Sequence, residues 1–166
     1  MLGERLRDRA EELIAKYVAR MRSEPRIPNA KELSQPVLED HAMSLLGDVF
    51  QSIVILERAT ELRHLDESYL LKDGSQIQRL VAELHGRQRF RMGWTQDALN
   101  REYEILQEET RALLKRQSQP DVAEHMGWAH EYMKHLLDRA HKASYAAFGA
   151  AAKESPEHAD ATPTAV

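Results

Sequence analysis

Apolar residues recur along most of the 166-residue chain at spacings of three and four, the pattern of helices that turn one face to a core. Residues 2–22 put Leu6, Ala10, Leu13, Ile14, Tyr17, Val18 and Met21 on one side of a first helix, which Pro25 and Pro28 end. Ser34 is placed to cap a second helix with Pro36 in its first turn, carrying Leu38, Leu45, Leu46, Val49, Phe50, Ile53, Val54 and Leu56 to about Leu62. Gly47 inside that helix costs about 1 kcal/mol against alanine, which predicts a close crossing there. From Arg63 to Gly74 the periodicity lapses, and Asp73-Gly74-Ser75 reads as a turn followed by a cap.

Ile77, Leu80, Val81 and Leu84 then define the core face of a third helix. Gln88 falls within that stripe, His85 and Met92 lie to one side, and Phe90 points nearly opposite. Phe90 therefore requires either a bend at Gly86 or a partner on another element. Gly93 forms a corner and Thr95 caps a helix in which Leu99, Tyr103, Leu106, Thr110 and Leu113 step four, three, four, three. A break at Gln117–Pro120 follows, and Asp121 is placed to cap the last helix. Its Val122, Met126, Ala129, Met133, Leu136, Ala140, Ala143 and Ala147 form a heptad seam. Tyr132, Leu137 and Phe148 flank the seam and give this helix more apolar surface than one antiparallel partner covers. Either the N-terminal helices cover that surface within one chain, or a second copy does, and the expected interface of such a homodimer comprises Leu99, Tyr103, Leu106, Met126, Met133, Leu136, Leu137 and Ala140. The expected fold is an all-α bundle of about five to seven helices over residues 1–150, ending in a long αα-hairpin, with 151–166 as a disordered tail or linker.

Composition narrows the function classes. The chain has no cysteine, which removes disulfides, thiolate metal sites and cysteine nucleophiles. Its 23 basic and 27 acidic residues are interspersed, giving a net charge of −4 and no footprint for nucleic acid. No run approaches the roughly 20 apolar residues of a membrane helix. The charged start MLGERLRDRAEE is unlike a secretion signal. The expectation is a cytoplasmic protein.

Eight histidines raise the question of a metal. His125, His130 and His135 are each turned about 140° from the last on a helix, so they do not converge. His41, His64 and His85 come from separate segments. No zinc-protease, di-iron, nucleophile-elbow, phosphate-loop, dinucleotide or kinase pattern is present, so no catalytic residue and no metal ligand is assigned and the chain is read as no enzyme. Arg87, Arg89 and Arg91 beside Trp94 would either face solvent or dock an anion or acidic partner, with Arg89 within reach of Glu83 or Glu102. His85, Arg89, Phe90 and Trp94 are the candidate ligand or partner residues.

The run His85-Gly86-Arg87-Gln88-Arg89, with Gly93, Glu102-Tyr103 and Leu106, resembles the N-terminal domain of RsbR-type stressosome co-antagonists, also found in front of some bacterial sensor histidine kinases. The resemblance implies a globin-like domain without haem that dimerises and passes a signal to an output domain or partner protein. It also keeps an alternative open, because in globin-coupled oxygen sensors the histidine at the position similar to His85 binds haem iron. Phe50, Tyr69 and Trp94 would then wall the pocket, although Gly86-Arg87-Gln88-Arg89 places polar groups where porphyrin would lie. A stand-alone adaptor binding another protein is the third reading.

Overall fold

The computed structural model describes residues 1–62, 67–117, 119 and 123–155, and their side chains except those of 59–75 and 123–125. It is all-helical among these residues. The helices are α1 (Leu2–Arg7), α2 (Ala10–Ser23), α3 (Gln35–Glu39), α4 (Ala42–Leu62), α5 (Glu67–Arg91), α6 (Gln96–Arg116) and α7 (Ala123–Glu154), with a 3₁₀ turn at Pro28–Glu32. The first predicted helix is thus two, broken at Asp8-Arg9, and the second is also two, broken at Asp40. Asp40 has φ +38° and ψ −119°, and a backbone in that region cannot continue a helix.

Leu13, Ile14, Tyr17 and Met21 from α2, Leu46, Val49, Phe50 and Ile53 from α4, and Leu99 and Ile105 from α6 are buried together. α1 lies across α4 and takes its cap from it: Glu57 accepts the N–H groups of Leu2 and Gly3 at 2.8 and 2.9 Å. A Cβ on Gly3 would stand 2.6 Å from the Val54 nitrogen, so this crossing depends on glycine. The crossing expected at Gly47 does not occur, because nothing lies within 4 Å of the place its Cβ would take.

Two expectations about α5 are corrected. The Asp73-Gly74-Ser75 turn is absent, since the backbone runs helically from Glu67 to Arg91. The predicted core stripe faces outward: Ile77, Leu80 and Leu84 are 60%, 61% and 58% exposed. The inward face of α5 carries Gln78, Ala82, His85, Gly86 and Arg89 instead. Small side chains admit α7, and polar ones meet partners inside. A periodicity argument that seeks the most apolar face cannot see either reason.

α7 packs mainly along α5 and secondarily along α6. At the closest point a Cβ on Gly86 would stand 2.0 Å from the carbonyl oxygen of Ser144. Ser144 Oγ there donates to the Ala82 carbonyl at 2.5 Å. Phe90 finds its partner on α7, meeting Phe148 edge-on at 5.4 Å. The corner after α5 has Gly93 at φ +75°, and Thr95 caps α6 by accepting from the Ala98 N–H at 3.0 Å. No helix among the described residues is long and apolar enough to cross a membrane.

The proposed dimer seam is covered within one chain. Leu99, Tyr103, Leu106, Met133, Leu136, Leu137 and Ala140 are all buried, and Met126 packs partly against the same core. Because α5 and α6 both flank α7, most of the surface that two antiparallel helices would leave bare is occupied, and Leu136, Ala140, Ala143 and Ala147 line a groove beside α5. The helix α7 continues to Glu154, past the expected start of a tail at 151. Residues 156–166, the proposed Asp121 cap, Val122 and His64 lie outside the described residues, as do the side chains of Tyr69 and His125.

A candidate site around a buried ion network

Four ionisable side chains meet in the interior between α5, α6 and the corner that joins α3 to α4. Arg89 is wholly buried and Glu102 is 1% exposed. They are paired through Arg89 Nη2 donating to Glu102 Oε1 at 2.8 Å, with Nε reaching both carboxylate oxygens at 3.1 and 3.2 Å. The rest of the guanidinium caps a neighbouring helix end. Its Nη1 donates to the Val37 carbonyl at 3.0 Å and its Nη2 to the Leu38 carbonyl at 3.2 Å, two carbonyls left free where α3 stops. The guanidinium also lies over the Trp94 ring, 4.6 Å from its centroid.

His85 bridges two carboxylates. Nδ1 is 2.8 Å from Asp40 Oδ2, and Nε2 is 2.9 Å from Glu102 Oε2. An ionised carboxylate only accepts, so both ring nitrogens must carry protons for both bonds to form. The network then holds Arg89⁺ and His85⁺ against Asp40⁻ and Glu102⁻ and is neutral. Tyr17 from α2 donates its hydroxyl to Glu102 Oε1 at 2.7 Å, and Gln88, with its amide nitrogen toward Asp40, donates to both of that residue's oxygens at 2.7 and 2.9 Å.

These contacts set the titration of the group. Burial alone would lower the His85 pKa, but the Glu102 charge and the bonds to Asp40 and Glu102 outweigh it and raise the value. Burial would raise Glu102, and the opposing His85 and Arg89 charges drive it far below the ordinary carboxylate range. Burial would likewise raise Asp40, and His85 brings it below its ordinary value. Burial raises the Tyr17 hydroxyl, which stays neutral.

The sign for stability follows. A histidine raised on folding contributes its full stabilisation below the unfolded value of about 6.5, and loses it as pH climbs through the higher folded value. The lowered carboxylates contribute above about pH 4 and lose their share as pH falls. The unfolding midpoint in urea is therefore expected to fall as the pH rises above about 6.5. That slope should flatten in His85→Gln, and an equal slope in that variant would show that another group titrates.

Beside His85 lies a cavity of about 20 Å³, lined by Tyr17, His41, Leu45, Ala82, Glu102 and Tyr103 among others. That is room for about one water molecule. Haem does not fit the arrangement: neither nitrogen of His85 is left for iron, and the space beside the ring is far smaller than a porphyrin. Phe50, assigned to the wall of a haem pocket, is wholly buried in the helical core, and Trp94 lies under Arg89.

The network reaches α7 through Tyr103. The Tyr103 ring meets His85 edge-on at 5.9 Å and stacks on His141 at 4.8 Å, and its hydroxyl lies 2.8 Å from Ser144 Oγ. Of the candidate residues named from the sequence, His85, Arg89 and Trp94 come together here, while Phe90 belongs to the contact with Phe148. Arg87 faces solvent and pairs with Glu154 at 3.1 Å. Glu83, one of two expected partners for Arg89, pairs with Arg79 instead. The other expected partner of Arg89, Glu102, is the one it meets. No local spacing links Asp40 and Tyr17 to the residues they meet, 45 and 85 positions further on.

No family model matches the chain, and neither a curated protein nor a solved structure matches it.

Proposed function

We propose that this chain is a non-enzymatic, cytoplasmic signalling domain of globin-like type, similar to the haem-free sensor domain of the RsbR-type co-antagonists, and that its output is the packing of α7 on α5 and α6. The observation that carries the reading is the buried network itself. Arg89, Glu102 and His85 are buried and paired with one another or with Asp40, and the cavity beside them has room for about one water molecule. Such an arrangement suits a structural latch better than acid–base chemistry, which requires a group within reach of a reactant.

Every residue of the run that carried the resemblance has a place in this reading. His85, Gln88 and Arg89 build the network, Gly86 admits α7, and Arg87 ties the end of α7 to α5 through Glu154. A change in the charge of His85 would act first on Asp40 and Glu102, then through Tyr103 on Ser144 and His141. Signalling requires two packings of α7 that differ in affinity for a ligand or partner. The dimer that the resemblance implies would form through a surface other than the covered seam.

Amide hydrogen exchange tests the relay. In His85→Gln, exchange is expected to accelerate along α7 from Ala140 to Glu154 as well as near residue 85. Acceleration confined to α5, α6 and the Asp40 corner, with α7 unchanged, would remove α7 as the output. Absorbance of the protein after incubation with haem tests the rival reading, and a Soret band lost on replacing His85 would reverse the ranking.

A further inference from the structure

Between α5 and α7, on the side away from α6, runs an open groove of about 530 Å³. Its floor is small and apolar: Leu136, Ala140 and Ala147 are buried, and Ala143 is half-buried. Its walls are cationic, with Arg79 and Arg87 on α5 and Arg139 and Lys142 on α7, against the single carboxylate of Glu83. Arg79 pairs with Glu83 and Arg87 with Glu154. Arg139 and Lys142 are exposed and form no ion pair among the described residues. On the outer side of α5 stands the outward stripe of Ile77, Leu80 and Leu84, three of the four large apolar side chains that the described residues expose.

We infer that this groove and the stripe at its lip form a docking site for an acidic amphipathic helix of a partner protein, the partner's apolar face lying on the alanine floor and on Leu80 and Leu84, and its carboxylates meeting Arg139, Lys142, Arg79 and Arg87. Three features select this occupant. An apolar floor of small residues between two parallel ridges lets a third helix approach closely, and helices are recognised in such grooves through residues spaced three and four apart. Apolar side chains aligned on one helix face, bordered by charge, mark an interaction surface where scattered ones do not. With Arg79 and Arg87 already paired to Glu83 and Glu154, the two cations left over on the α7 wall, Arg139 and Lys142, select for negative charge on the incoming helix.

A second copy of this chain fits the groove poorly. The apolar stripe that it could offer is the one on α5, and that stripe is bordered by Arg79, Arg87 and Arg91, which would meet Arg139 and Lys142 with like charge. The inference is independent of the relay through Tyr103, and either can fail without the other.

The test uses the full chain and two synthetic helical peptides that share leucines at positions one, four and eight and differ only in their flanks, glutamate in one and lysine in the other. Fluorescence anisotropy is expected to show saturable binding of the glutamate peptide, at least tenfold tighter than the lysine peptide. Reversing the charge of two exposed groups in Arg139→Glu/Lys142→Glu should invert that preference while leaving the circular dichroism spectrum and melting temperature unchanged. Leu80→Glu should weaken the glutamate peptide at least tenfold. Absence of saturable binding, or binding that ignores both variants, would overturn the proposal. So would sedimentation showing a dimer that Leu80→Glu dissociates, since a second copy would then occupy the face. Binding to phosphatidylglycerol vesicles without binding to the peptide would overturn it in favour of a lipid surface.

Discussion

Arg89→Ala is expected to destabilise the protein by about 3–5 kcal/mol, the range for stranding one member of a buried ion pair. The substitution removes the bonds from Arg89 to Glu102 and leaves the carbonyls of Val37 and Leu38 without their donor. Glu102 would keep His85 and Tyr17, which together cannot replace a planar group that meets a carboxylate and two carbonyls at once. Arg89→Lys is expected to recover only a minor part of the loss for that reason. Arg87→Ala, two residues away and exposed, should change stability by less than about 0.5 kcal/mol. Urea denaturation of the three variants measures all of this, and an Arg89→Ala protein within 1 kcal/mol of the parent would refute the assignment of Arg89 as the keystone of the network.

Gly86→Ala is expected to be the most damaging of the glycine-to-alanine changes within the helices. At an open position in a helix interior the substitution gains up to about 1 kcal/mol. Here the added carbon would stand 2.0 Å from the Ser144 carbonyl oxygen and 2.7 Å from its carbon, atoms of a helix backbone that cannot turn aside. α7 must move outward as a body, stretching the bond from Ser144 to Ala82 and the contact of Tyr103 with Ser144. Overpacking of this kind costs about 1–3 kcal/mol, and the shared rigidity of two long helices puts the expected loss at the upper end. Gly47→Ala, with nothing within 4 Å, serves as the internal control and should be neutral or stabilising. Equal melting temperatures for the two variants would contradict the close crossing at Gly86.

The helical class and the faces of α2, α4, α6 and α7 were readable because each buries a continuous apolar stripe, and a stripe is what spacing reveals. The corner at Gly93 and the cap at Thr95 were readable because each depends on one residue's backbone or side-chain chemistry. α5 was misread for the opposite reason. Its inner face is built from Ala82, Gly86 and the polar residues Gln78, His85 and Arg89, whose fitness for the interior lies in Asp40, Glu102 and Ser144 on other elements. Arg89 illustrates the difficulty best. In isolation an arginine between two other arginines reads as surface, and only the meeting with Glu102 across the Gly93 corner makes burial affordable. The breaks at Asp8-Arg9 and Asp40 escaped notice because neither carries a proline or glycine to announce it.

Asp40 occupies a left-handed backbone conformation that glycine would adopt with less strain. A glycine there, however, would deprive His85 and Gln88 of their acceptor. Comfort of the main chain and neutrality of the interior therefore make opposing demands on one position, and the residue present satisfies the second. Loosen the imidazole, and the corner between α3 and α4 gains a reason to spring back, which makes that short bend the segment whose recoil would announce any change inside the molecule.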